Sequence, residues 1–224
     1  STASGSYAGI IQSTYGTIQN LIFQNITVDA PKMAYVGSIS QSSSKSIQNI
    51  ILSNITVSGN NQVAGFVGRM AEANVQNITL KMVNVAGKSN YIGGFVGTIF
   101  NVISNQAKHF YIEADDVHVI STGGTYHGIL YGYGGCSNSI IKNSSVDGYN
   151  QVGGMAGQNN TYDTSQIAIE NCEVSGNQYV GGIYGLTYFS IRNSYIINSE
   201  ISGKNVSSTY VGGYVGSTNN NIFN

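Results

Sequence analysis

The sequence predicts an all-β fold of one kind: a parallel β-helix, or β-solenoid, of about eight coils of roughly 28 residues each. Three observations predict it. A Gly-centred block recurs eight times, an aliphatic column runs in phase with it, and two polar columns, mostly Asn, run in phase with both. Self-similarity at a fixed period of 20–50 residues is the mark of a repeat architecture.

The Gly block comes first in each unit. It runs from Tyr7-Ala8-Gly9 and Tyr35-Val36-Gly37 through Val63-Ala64-Gly65-Phe66-Val67-Gly68 to Val211-Gly212-Gly213-Tyr214-Val215-Gly216. Aligned on Gly9, Gly37, Gly65, Gly94, Gly128, Gly154, Gly182 and Gly213, the blocks are 28, 28, 29, 34, 26, 28 and 31 residues apart. Glycine there supplies backbone freedom and close approach.

The strands follow. Ile50 and Leu52 alternate with Ile51 and Ser53, and Ile55 and Val57 flank Thr56. That is the strand period of two. No stretch sustains a helical i, i+3, i+4, i+7 pattern, and paired glycines weaken a helix interior by about 1 kcal/mol each. The aliphatic column is Val28, Val57, Val85, Val119, Val146, Val174 and Ile201. In a solenoid it becomes an apolar ladder inside.

The alternation slips at the polar columns. One is Asn25, Asn54, Met82, Asp116, Asn143, Asn171 and Asn198; the other is Asn20, Asn49, Asn77, Tyr111, Asn138, Gln166 and Asn193. Apolar positions 18, 21, 23, 26 and 28 are spaced 3, 2, 3 and 2, and a step of three with Asn inside it reads as a corner between short strands. Stacked coils would set these side chains one above another as amide ladders, about 4.8 Å apart. The crossovers should be right-handed. A propeller blade needs more residues, and a leucine-rich repeat needs a Leu consensus absent here.

Composition narrows the function. Charged residues are 8% of the 224, net charge is −1, and no basic patch is present to hold phosphates, so no nucleic-acid partner is expected. No apolar run approaches the roughly 18 residues of a membrane span, so this segment should not insert in a bilayer. The chain begins with Ser and shows no signal peptide. Residues 1–224 read as a single domain and a segment of a longer protein.

Chemistry-bearing residues are few. The fourth repeat, with about five extra residues near Asn101–Lys108, holds His109, His118 and His127 and also Glu113, Asp115 and Asp116. The group His109, Glu113, Asp115, Asp116 and His118 is a candidate polar cluster for a metal or for acid–base work. By column, however, His109 points inward, His118 outward, and His127 lies beside the glycine, which disperses the ligands. No cofactor or metal is therefore expected. Paired acids at Asp115-Asp116 lack the companions of polysaccharide-cleaving β-helices, and Glu173 and Glu200 are two acids in one column. No nucleophile elbow, phosphate loop or His-Glu-x-x-His occurs, and no catalytic residue is expected. Cys136 and Cys172 fall on apolar columns and read as small buried residues, although a bridge between neighbouring coils stays open.

Six Asn-x-Ser/Thr sequons occur, at Asn25, Asn54, Asn77, Asn143, Asn159 and Asn205. Four lie on the corner ladders. Asn159 and Asn205 read as loop residues and are the better candidates for glycosylation. Many of the 16 tyrosines fall at the Gly block, where packing or contact with sugars and proteins would explain them.

The blocks Ile169-Glu170-Asn171-Cys172-Glu173-Val174-Ser175-Gly176 and Tyr179-Val180-Gly181-Gly182-Ile183-Tyr184-Gly185 resemble the GLUG repeat. So do Ile191-Arg192-Asn193-Ser194-Tyr195 and Val211-Gly212-Gly213-Tyr214-Val215-Gly216. The match spans nearly the whole chain, loosest before residue 60. The resemblance implies a β-helical spacer or adhesive segment of a large surface protein, with no catalytic residue of its own. The expected location is extracellular or cell-surface. The expected partners are neighbouring domains or like molecules at the solenoid ends, where head-to-tail stacking would make a filament, together with glycans or surface proteins. Two alternatives stand beside this: a carbohydrate-binding or polysaccharide-degrading β-helix, and an intracellular scaffold.

Overall fold

The computed structural model describes residues 6–42, 44–71, 73–100, 109–204 and 210–223. They form a β-solenoid of about seven turns, with coils about 28 residues apart. Every strand pair is parallel, and each strand pairs with its counterpart one coil away. Two eight-stranded walls open the coil. One runs from Tyr7–Ala8 to Val211–Gly212 and the other from Ile11–Thr14 to Val215–Thr218. A third wall is built from long strands in the early coils: Ile18–Asp29, Ser46–Ser58, Asn74–Gly87 and His109–Ser121. In the later coils each long strand becomes two short ones, such as Ser139–Lys142 and Ser145–Asp147. A small fourth wall, Thr164–Ser165, Ile191–Arg192 and Ile222–Phe223, appears in the last coils.

The expected columns are in register. Val28 pairs with Val57, and the line continues through Val85, Val119, Val146 and Val174 to Ile201. The members from Val57 to Val174 are buried. Phe66 and Phe95 stack beside them with centroids 5.5 Å apart and planes 5° apart. Burying each such side chain stabilises by about 1.5–3 kcal/mol.

Both polar columns are corners. All fourteen residues adopt left-handed backbone, with φ between 47° and 59°. Ten are Asn, the residue that visits this region at least cost after Gly. In the early coils the bends lie inside continuous strands, so the chain turns there without leaving the sheet; in the later coils they fall between short strands.

The Gly block works differently from its expected role. Among the described glycines only Gly124 and Gly134 have positive φ, so the block glycines serve close approach and not backbone freedom. A Cβ on Gly132 would lie 2.5 Å from the Gly97 carbonyl oxygen and from Tyr91 Cα. The left-handed backbone sits just before the block, at Gln62, Tyr91, Tyr126, Gln151 and Tyr179, a third such column that the sequence did not reveal. Tyr91 and Tyr126 stack there at 4.9 Å, Tyr179 and Tyr210 at 5.1 Å, and Tyr7 and Tyr35 at 4.9 Å.

The block register also shifts. Gly93 pairs with Gly128 and Gly128 with Gly153, so Gly128 stands one place earlier in its coil than Gly94 and Gly154. Gly9 and Gly37 do likewise, since Val36 pairs with Val63 and Gly37 therefore faces Ala64. The added residues of the fourth repeat, 101–108, lie outside the described residues.

Candidate functional site

The candidate surface is the first Asn corner together with the outward column beside it. In the early coils the corner carboxamides close on each other. Asn49 Nδ2 donates to Asn20 Oδ1 at 2.8 Å, and Asn77 Nδ2 donates to Asn49 Oδ1 at 3.1 Å. Tyr111 then interrupts the column, and Asn138, Gln166 and Asn193 follow. The side-chain amides of those three have no hydrogen-bond partner among the described residues. An Asn–Gln–Asn sequence mismatches the reach of neighbouring amides, which breaks the ladder.

Along this open stretch runs a shallow groove made of two concave patches that share Asn138 and Ile140. Ile140 pairs with Glu113 on one side and Ala168 on the other, and Ala168 pairs with Tyr195. The exposed rings of Tyr111 and Tyr195 line the groove, one in each patch. The Tyr195 hydroxyl donates to Glu170 Oε1 at 3.0 Å, and Lys142 pairs with Glu170 at 3.3 Å. Glu113 is the formal charge in the lining.

The second corner also forms a ladder in part. Asn54 donates to Asn25 at 2.8 Å, Asn143 to Asp115 at 2.8 Å, and Asn171 to Asn143 at 3.3 Å. Asn198, at φ 49°, closes the column.

The polar group of the fourth repeat is not brought together. His109 is buried in the core, whereas Glu113, Asp115, Asp116 and His118 are on the outer face of the third wall. His118 Nε2 lies 2.9 Å from Asp116 Oδ1, and its Nδ1 lies 2.8 Å from Ser145 Oγ. Among the described residues no set of three His, Cys, Asp or Glu side chains converges to hold a metal. Glu173 and Glu200 do pair in one exposed column.

His109 belongs to a closed polar cluster in the core. Its Nδ1 is 2.8 Å from the Tyr131 hydroxyl, and its backbone N–H donates to the Tyr162 hydroxyl at 3.0 Å. Tyr162 in turn donates to the Gly135 carbonyl at 2.6 Å. Tyr184 and Thr164 hydroxyls meet at 2.6 Å, and Cys136 Sγ approaches Met155 Sδ at 3.1 Å. Burial pulls His109 down to about 3 and pushes Cys136 up to about 12, which keeps the ring neutral and the thiol protonated. These groups pack against one another in the core, with Tyr162 partly exposed. Cys172 is likewise buried and free, so no bridge joins the cysteines.

His127 is more exceptional. It occupies a column otherwise filled by Val36, Val63, Ile92, Val152 and Val180. The carbonyls of Gly123 and Gly124 lean toward its ring, yet neither nitrogen completes a hydrogen bond. Burial lowers its pKa to about 4.

No protein-family model, curated protein or solved structure matches the chain.

The sequons sort differently from expectation. Asn159 is not a loop residue: it is fully buried at the end of the strand Ala156–Asn159. Its Nδ2 donates to the Tyr162 carbonyl at 3.0 Å, and its Oδ1 accepts from the Thr161 N–H and hydroxyl. The side chain organises the turn that leads into the fourth wall, and no acceptor surface is left. Asn205 lies outside the described residues. Asn25, Asn54, Asn77 and Asn143 are exposed at the corners, and Asn25 alone among these four makes no donation from its Nδ2.

Nothing in the residue pattern singled out the serines that follow four corners. Ser139, Ser144, Ser194 and Ser199 accept from the backbone N–H of Ile112, Val117, Ile167 and Cys172 in the preceding coil. Each hydroxyl stands in for a ladder carbonyl where the long strand divides in two.

Proposed function

We propose that this chain is a non-enzymatic spacer and interaction segment of a longer cell-surface or extracellular protein. One observation carries the reading: the rungs stay in parallel register along the described length, with amide, apolar and aromatic ladders all running along the axis. Such stacking stiffens a rod, because bending it opens several ladders at once. The low charge supports a surface built for contact and not for electrostatic capture. The likeness of its blocks to the GLUG repeat points the same way. Neighbouring domains or like molecules would stack on the solenoid ends, and the latter would give a filament.

Protease shaving of intact source cells, with an antibody against this segment, tests the location. Loss of the epitope from unbroken cells supports the reading, and full protection of it overturns it. Small-angle scattering of the isolated segment tests the shape: an elongated particle is expected.

A further inference from the structure

We propose that the groove lined by Tyr111 and Tyr195 binds a neutral, linear polysaccharide laid along the solenoid axis. The inference goes beyond the spacer reading and does not depend on where the protein resides.

Three features select this ligand. First, the rim presents Asn138, Gln166 and Asn193, whose carboxamides have no partner among the described residues, one per rung at about 4.8 Å. A carboxamide donates and accepts at once, which suits sugar hydroxyls. An extended β-linked hexose chain advances by nearly one rung per sugar, so each unit meets an equivalent amide. The same column is closed upon itself at Asn20, Asn49 and Asn77, which confines the open amides to the groove. Second, Tyr111 and Tyr195 are each about half exposed, at 56% and 43%, and line a groove with a floor formed by Ile140 and Ala168. Aromatic rings stack on the apolar faces of pyranoses, and an aliphatic floor accepts their C–H groups. Third, the one formal charge in the lining is the Glu113 carboxylate, which disfavours anionic ligands. Glu170 is paired with Lys142, and no cation lines the groove to hold a uronate or phosphate.

The test uses calorimetric titration of the full segment with linear oligomers of β-1,4-glucan, β-1,4-mannan and β-1,3-glucan, and with polygalacturonate. Binding of at least one neutral oligomer is expected, with little or none of the acidic polymer. The triple variant N138G/Q166G/N193G removes the amides while glycine accepts the left-handed backbone; it should weaken binding at least about tenfold. Y195A, at an exposed site, should weaken it as well and serves if the triple variant does not fold. N20G/N49G, in the closed ladder, should bind as the parent does. Failure of every neutral oligomer to bind, binding of polygalacturonate alone, or undiminished binding by both groove variants would overturn the proposal.

Discussion

Asn49 donates its side-chain amide to Asn20 Oδ1 at 2.8 Å while holding its own backbone at φ 55°, so one residue both turns the chain and ties two coils together. It also accepts from Asn77. Asn49→Ala should therefore lose two amide bonds and strain the backbone, at about 2–3 kcal/mol, whereas Asn49→Gly should cost about half as much because the strain is absent. Urea unfolding of the two variants, read side by side, checks the order.

Gly132 and Gly16 should behave in opposite ways when replaced by Ala. At Gly132 a Cβ would strike the backbone at 2.5 Å, and nothing there is a movable side-chain tip. Gly16 has nothing within 4 Å. Gly132→Ala should destabilise by more than about 2 kcal/mol or prevent folding, and Gly16→Ala should stay within about 0.5 kcal/mol of the parent. Thermal melts followed by circular dichroism decide it.

Acid should destabilise the fold through two histidines. Their pKa values fall from the ordinary 6.5 to about 3 for His109 and about 4 for His127. Below pH 6.5 the unfolded chain takes up a proton at each ring and the folded chain does not. Their contribution is thus fully present above about pH 6.5 and is lost as pH falls toward 4 for His127 and toward 3 for His109. The slope of unfolding free energy against pH near 5 should approach two protons. His127→Val restores the apolar column, should raise stability by about 1–3 kcal/mol, and should cut the slope to about one.

Both thiols should be silent in the native protein. Cys136 is fully buried with its pKa near 12, and burial raises Cys172 as well. Ellman's reagent at pH 8 should find almost no thiol before denaturant and two per chain after it. A fast-reacting thiol in the folded state would refute the packing described for it.

Much of this architecture could be read from the residues, and the exceptions have physical causes. The Val57 and Asn54 columns stood out because interior shape and left-handed backbone each admit few residue types. Tyr91 and Gln62 are left-handed too, but neither type advertises that conformation, so their column stayed hidden. The glycines misaligned because a block with two adjacent Gly can be matched at either, and only hydrogen-bond register chooses between Gly93 and Gly94 as the mate of Gly128. Asn159 was misread for a related reason. Polar residues followed by Thr look like loop, yet here the amide is consumed inside the wall it helps to shape. The groove at Ile140 was not visible either, because it depends on which outward residues meet across coils about 28 residues apart.

That nearly even separation shapes how such a rod comes into being. Each new coil closes a loop of similar length onto the one beneath it, so the entropy lost per coil does not grow as the array lengthens. Contact order measured against total length falls with every repeat added. Folding can then start at any well-packed pair of coils, such as those joined by Phe66 and Phe95, and zip toward both ends. A gene could lengthen or shorten the array by whole repeats while leaving the kinetic problem of each repeat unchanged.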